Sequence, residues 1–428
     1  MGELTGVERR ALDAIDQSAM VAELAELVAI PSITGTDAEA DAQAWVARRL
    51  DGLGLEVDSW AMDLEALAAT DGFPGVEAAR TQAWGLVGSM PVRDGTVGDG
   101  STLVLQGHVD VVPPGDLDRW PGRDPFRPRI ENGVLHGRGS CDMKAGVVAN
   151  LAAVRAIRAA GIELRGRVAV HSVVSEEDGG LGAFGTLQRG HTGDACIIAE
   201  ATSGTVITAN AGALTFRLSV PGRATHGSTR YAGYSAIDAY LPLHAALAEL
   251  ERERCHDADA LMAEYPIPYP VSVGVLRSGD WASSVPDLLV AEGRLGVALG
   301  EDPADARAAL EERVAAVCAA DAWLRDHPAT VTWSGGQFAS GRLPVGHPLL
   351  STVQIAVADT SGGSRPRERG APYGSDLRLY NGAGIPTLHF GPGEVQHAHS
   401  PEERVPLAEM DSVCAALVLT ILRTVGSR

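Results

Sequence analysis

The chain has 428 residues, 45% of them hydrophobic, which is enough to bury a large core and at this length favours more than one domain. Against 55 Asp and Glu stand 35 Lys and Arg, and the formal charge of −20 repels phosphate backbones and anionic lipid, so neither nucleic acid nor a membrane surface is expected as a partner, while divalent cations are favoured. The opening MGELTGVERR lacks a basic start followed by an apolar core, no apolar run approaches the ~20 residues of a membrane span, and the 5 scattered cysteines contain no CxxC pair, which together predict a cytoplasmic protein without a disulfide framework or a thiolate zinc site.

In chain order, ALDAIDQSAMVAELAELVA repeats apolar residues at helical spacing up to Pro31, and AEADAQAWVARRLDGLG does the same with glycines at its end. TLVLQ (102–106), RVAVHSVV (167–174) and ACIIA (195–199) are short β-rich runs with little polar alternation, which predicts strands covered on both faces in a mainly parallel sheet. Between the first two, KAGVVANLAAVRAIRAAG predicts a helix from about Lys144 to Gly161. This is α/β grammar. Near Ala213 it changes: the strand ALTFRLSVPG, the helix SAIDAYLPLHAALAELERER, the hairpin VSVGVLRSG and LLVAEGRLGV, the helix DPADARAALEERVAAVCAADAWL and the strand ATVTWSG follow in the order βαββαβ of ferredoxin-like modules. The predicted organisation is an α/β domain over 1–212 and 335–428, interrupted by a module at 213–334. LPVGHPLLSTVQIAVA and IPTLHFGPG resume the α/β pattern, and the Gly-, Ser-, Pro- and Arg-rich TSGGSRPRERGAPYGSD predicts a functional loop.

Chemistry gathers at the strand ends. LVLQGHVD supplies His108 and Asp110, SEEDGG supplies Glu176 and Glu177, ACIIAE supplies Glu200, and GRGSCDMKAG sets Asp142 where a loop enters a helix. In open α/β sheets ligands bind beyond the carboxyl ends of the strands, so residues far apart in sequence are expected to converge there. That many carboxylates need positive charge, and two divalent cations would supply it; a set of oxygens and imidazoles without thiolate suits zinc, cobalt or manganese. Residues two apart on an extended strand point the same way, so Asp110 is expected to accept from the imidazole of His108 and fix its orientation, with direct metal ligation as the second choice. Glu176 and Glu177, being adjacent, diverge: one to bind metal, the other to face the attacking water. Each motif alone has a bland reading, a capped helix start for Asp142 or a solvated acidic turn for SEED; their occurrence in one order argues for a site.

GHVDVVP, GRGSCDMKAG, SEED, AEATSG, GIPTLHFGPG and AHSPEE together resemble the co-catalytic zinc family of acetylornithine deacetylase, succinyl-diaminopimelate desuccinylase, aminoacylase and the glutamate carboxypeptidases, over nearly the whole chain. The resemblance implies a zinc-hydrolase catalytic domain with two Zn2+ per chain, Co2+ or Mn2+ being substitutes, held by His108, Asp142, Glu177, Glu200 and His399, with Asp142 bridging. His397 competes for the last position, but the family's ligand directly precedes the Ser-Pro type of segment. It also implies Glu176 as general base, the inserted module as a lid and dimerisation domain that makes the protein a homodimer, and His226 in PGRATHGS as a donor to the developing oxyanion.

YGSDLR matches the desuccinylase-like S-D-x-R pattern, which makes Ser375, Asp376 and above all Arg378 candidates for binding a substrate carboxylate; Gly391 and Gly393 of GPG allow a ligand close to the backbone. SSVPDLLVAEGRLGV departs from the family, with Ser284 where an Asn is usual and Arg294 at a different spacing from the usual arginine. The expected activity is N-deacylation of a small N-acylated amine or amino acid. A dipeptidase or carboxypeptidase is the second reading, and a non-catalytic metal or small-ligand binder of the same fold the third, disfavoured because a binder needs no base beside Glu177.

Overall fold

Four strands, Arg167–Val173, Thr102–His108, Ala195–Ala201 and Thr387–Gly391, lie side by side and parallel in the computed structural model, which describes residues 3–91 and 101–427. Glu56–Ala61 and Trp84–Ser89 extend the sheet antiparallel beyond Arg167–Val173, and Val206–Asn210 pairs antiparallel with Thr387–Gly391 on the other side. All but the first residue of Thr102–His108 and of Arg167–Val173 are buried, as is all of Ala195–Ala201. This is why their sequences show apolar runs instead of alternation.

One apolar cluster joins Leu103, Leu105, Val170 and Ile197 of these strands to Val147, Leu151 and Val154 of the helix Ala145–Ala159 and to Leu417 and Ile421 of the helix Leu407–Val425. Each such side chain contributes roughly 1.5–3 kcal/mol on burial. At Gly146 a Cβ would lie 2.0 Å from the carbonyl oxygen of Ala199, so only glycine lets the start of the helix Ala145–Ala159 meet the strand that carries Glu200. The first helical run is broken, contrary to its continuous periodicity: Gly6–Asp13 and Gln17–Val28 are separate helices, because the Asp16 carboxylate accepts from the amide of Ala19 and caps the second.

The described residues divide into two units. The first runs to Thr208 and resumes over Arg342–Arg369 and from Leu379 onward; the second holds Ala209–Gly341 and Gly370–Arg378. In the second, Gly212–Pro221, Ala236–Arg254, Val271–Ser278, Leu288–Val297, Pro303–Ala320 and Thr330–Phe338 follow as βαββαβ. Its antiparallel sheet has the order Val271–Ser278, Leu288–Val297, Gly212–Pro221, Thr330–Phe338, which is the ferredoxin-like arrangement. Here burial does alternate, since Leu214, Phe216, Leu218 and Val220 pack on Leu243, Leu247 and Leu310 of the helices while the intervening residues are more exposed. Within the segment expected to be a functional loop, Glu368–Ala371 forms a strand.

Candidate metal centre

Because Arg167–Val173, Thr102–His108 and Ala195–Ala201 are parallel neighbours, their carboxyl ends share one edge. His108 closes the middle strand, Glu200 is the penultimate residue of Ala195–Ala201, and Glu176 and Glu177 stand in the turn after Val173. Asp142 joins them from the irregular turn Ser140–Lys144 that leads into the helix Ala145–Ala159. His399 arrives on the connection between the strands Thr387–Gly391 and Arg404–Pro406, in left-handed backbone at φ 57°. All six belong to the first unit.

Nε2 of His108 stands 3.1 Å from Asp142 Oδ1 and 3.2 Å from Glu200 Oε1. Nε2 of His399 stands 3.4 Å from Asp142 Oδ2 and 3.0 Å from Glu177 Oε2. The two oxygens of Asp142 are thus divided between two imidazoles, each of which has a further carboxylate beside it. Donor atoms of His108, Asp142 and Glu177 lie within 4.8 Å of one another, and so do those of His108, Glu176 and Glu200. Ligands about 2.1 Å from a tetrahedral ion are themselves about 3.4 Å apart, so these separations fit first-row divalent cations bound by nitrogen and oxygen.

The electrostatics say the same. Burial alone would lower the His108 imidazole, yet Glu200 and Asp142 hold it well above the usual histidine range. His399, facing Glu177, is pushed up to about 11. Burial works against ionisation of Asp142, but the two histidines keep its carboxyl far below the usual carboxylate range. Glu200 is pushed up to about 7 by burial and then by the charge of Asp142, and Glu177 is raised for the same two reasons. The surplus of carboxylates draws protons to the site, and divalent cations would take their place by accepting the imidazole lone pairs and the carboxylate oxygens.

His108 Nδ1 donates to the main-chain carbonyl of Asp110 at 2.9 Å, whereas the Asp110 carboxylate is 3.6 Å from that nitrogen. The orienting contact therefore comes from the backbone. The carboxylate is used elsewhere: Oδ1 accepts from the amide of Glu176 and Oδ2 from the amide of Glu177, both at 3.3 Å, and Oδ2 also from Thr34 Oγ1 at 2.9 Å. Sequence reasoning missed Glu403. It is 1% exposed, pairs with the equally buried Arg138, and accepts with Oε1 from the amides of Cys141 at 3.1 Å and Asp142 at 3.2 Å. Antiparallel pairing of Arg404–Pro406 with Val134–His136 brings it there.

Residues 104–423 match the sequence model described as Peptidase family M20/M25/M40. The chain belongs to that family. It is a hydrolase acting on amides, in a family that is metal-dependent. The N-formyl-4-amino-5-aminomethyl-2-methylpyrimidine deformylase of Bacillus subtilis (strain 168) is 29% identical over 394 residues, covering 86% of this chain and 85% of that one. A succinyl-diaminopimelate desuccinylase of Leptothrix cholodnii is 35% identical over 272 residues, covering 61% of this chain and 63% of that one. Among solved structures, a di-peptidase of Saccharomyces cerevisiae superposes with a TM-score of 0.76 over 97% of this chain and 98% of its own, at 14% identity, a likeness of fold.

In this M20-family chain the remaining sequence candidates are distributed as follows. His397 stands 3.6 Å from Glu394, whereas His399 faces Asp142 and Glu177. At Gly391 a Cβ would lie 2.0 Å from the Ala199 carbonyl, and the Gly393 amide donates to Glu409 at 2.8 Å. His226, Arg294, Ser375, Asp376 and Arg378 belong to the second unit. There Arg378 donates to the Ser375 carbonyl at 2.7 Å and lies over the Phe338 ring at 4.0 Å, while Arg294 donates to the Pro372 carbonyl at 3.0 Å. His226 is exposed, and its Nδ1 accepts from the amide of Ser228 at 3.2 Å, so Nε2 carries the hydrogen.

Proposed function

We propose that the protein is a dinuclear N-deacylase that cleaves a small acyl group from an amine. The observation that carries this reading is the sharing of Asp142 between two imidazole–carboxylate pairs, with Glu176 in the adjoining turn. His108, Asp142 Oδ1 and Glu200 would hold one zinc ion, and His399, Asp142 Oδ2 and Glu177 the other, with cobalt or manganese as substitutes. When bound, these ions supply Lewis acidity to the scissile carbonyl and to the attacking water. Glu176 takes a proton from that water and passes it to the departing amine, so that one C–N bond breaks, one C–O bond forms, and a carboxylate and a free amine leave. His226, with hydrogen on Nε2, is assigned as donor to the developing oxyanion, and Arg378, with Ser375 and Asp376, as the group that recognises a substrate carboxylate.

The relatives that align along the sequence at 29% and 35% identity are named for removal of formyl and succinyl groups, which favours deacylation over dipeptide cleavage. The same reading makes the second unit the lid and dimerisation domain of a cytoplasmic homodimer. Its strand Val271–Ser278 lies at the edge of its sheet among the described residues and exposes Val275 and Leu276, a surface that a second copy would cover. The test is a substrate panel, assayed with zinc, cobalt and manganese in turn: the N-formyl aminopyrimidine, N-succinyl-L,L-diaminopimelate, N-acetyl-L-ornithine and simple dipeptides. Deacylation with the highest kcat/KM supports the proposal; dipeptides turned over faster would make the chain a dipeptidase, and no hydrolysis of any acylated amine in the panel would overturn the deacylase reading for these substrates.

A further inference from the structure

The turn that carries Glu176 and Glu177 is in an unfavourable backbone conformation. Ser175 is left-handed at φ 64° without being glycine, and Gly180 follows at φ 91°. Such a turn persists only where its surroundings over-determine it. One restraint is Asp110, which accepts from the amides of both glutamates. The other comes from a part of the chain outside the residues matched to the family, which begin at 104.

The side chain of Arg80 is buried, 3% exposed. Its Nη2 donates to Asp178 Oδ1 at 3.1 Å and Oδ2 at 3.2 Å, and its Nη1 to Glu39 Oε2 at 3.0 Å and Oε1 at 3.4 Å. Asp178 directly follows the two glutamates; its Oδ1 accepts from Ser175 Oγ, and its Oδ2 from the amides of Ala78 at 2.9 Å and Glu77 at 3.3 Å. The segment before Arg80 lies against the same turn, since a Cβ on Gly179 would come within 2.1 Å of the Gly75 carbonyl oxygen. A planar fork that meets two carboxyl groups at once fixes distance and angle together, which a single ammonium cannot do.

We propose that Arg80 is a positioning residue for catalysis: by clamping Asp178 against Glu39 it holds the Ser175–Gly180 turn in the conformation that sets Glu176 for proton transfer. This rests on the reading of Glu176 as general base. Arg80 touches neither a metal ligand nor a reacting atom; because the turn it holds also carries Glu177, its effect on the rate constant is read at full zinc occupancy.

Arg80→Lys, Arg80→Ala and Glu176→Gln are compared with the wild type after zinc loading, using the panel substrate with the highest kcat/KM. Arg80→Lys keeps the charge but not the fork, and is expected to lose at least about tenfold in kcat with KM within about threefold, because small misplacements of a catalytic group cost this much or more. Zinc content should match the wild type, and the variant should stay folded at the assay temperature although its thermal midpoint falls. Where Arg80→Ala folds, guanidinium added at millimolar concentration should restore part of its kcat. Wild-type kcat in Arg80→Lys overturns the proposal, whether or not Arg80→Ala folds; so does a loss of kcat that travels with zinc loss or with unfolding at the assay temperature, which marks Arg80 as merely structural. Wild-type kcat in Glu176→Gln overturns the general-base reading instead, and the two failures are thereby told apart.

Discussion

His108 and His399 face opposite oxygens of one carboxylate, at 3.1 Å from Asp142 Oδ1 and 3.4 Å from Asp142 Oδ2. On the dinuclear reading, a residue so placed would be a ligand to both ions. Asp142→Ala should therefore weaken both binding events together, by at least about a hundredfold each, more than the loss of an outer partner of a ligand costs. Elemental analysis after gel filtration gives the result. One ion retained at wild-type affinity would mean that Asp142 does not bridge.

Glu176 and Glu177 are neighbours in sequence with different surroundings. Glu177 lies 3.0 Å from His399, and Glu176 shares a donor group with His108 and Glu200. With Glu176 as base, Glu176→Ala should keep the metals and lose ~10²–10⁴-fold in kcat, whereas Glu177→Ala should lose metal first. Measured kcat and metal content for both variants decide the assignment, and exchanged phenotypes would exchange the roles.

Glu403 holds the amides of Cys141 and Asp142 from a position four residues beyond His399, and so ties the segments that carry Asp142 and His399 together. Glu403→Ala leaves Arg138 buried and unpaired there, a change that costs about 3–5 kcal/mol in comparable buried pairs. Glu403→Gln keeps an acceptor for both amides and should fold, with zinc affinity reduced about 10–100-fold. Unchanged affinity in the Gln variant would confine Glu403 to a structural role.

His226 is exposed, and the amide of Ser228 leaves its Nε2 as a donor. Loss of one oxyanion donor costs on the order of 10²–10³ in turnover, so His226→Ala should reduce kcat by that amount with metal content unchanged. A wild-type kcat would return His226 to the status of a capping residue for the short helix that follows it.

His108, Asp142, Glu177 and Glu200 were legible because each sits where a short apolar run stops or a helix starts, and a parallel sheet brings such ends together whatever their separation in sequence. The βαββαβ module was legible for a similar reason, since each element carries its own period. Arg80 and Glu403 gave no such signal: their partners lie 98 and 265 residues away, and an arginine in a loop or a glutamate in an acidic segment reads as solvated until the fold buries it. The break after Asp13 was hidden by apolar spacing that continues through a capping aspartate. Asp110 was found, but the direction of its carboxylate was not, because the backbone carbonyl competes for the same imidazole.

Burial, and then the charge of Asp110, push the Glu39 carboxyl from its ordinary 4.5 up to about 8, against the pull of Arg80. An acid that binds its proton more tightly in the native state than in the unfolded one favours folding fully below the unfolded value, and that contribution is lost as pH rises from about 4.5 toward 8. Glu39→Gln is neutral at every pH and still offers Arg80 an acceptor. Its urea midpoint should coincide with that of the wild type near pH 4.5 and exceed it at pH 8, both proteins being stripped of metal first so that metal release at low pH does not enter. A variant that is less stable at pH 8 would show that Glu39 keeps its charge in the native state and that Arg80 clamps two carboxylates rather than one carboxylate and one carboxylic acid.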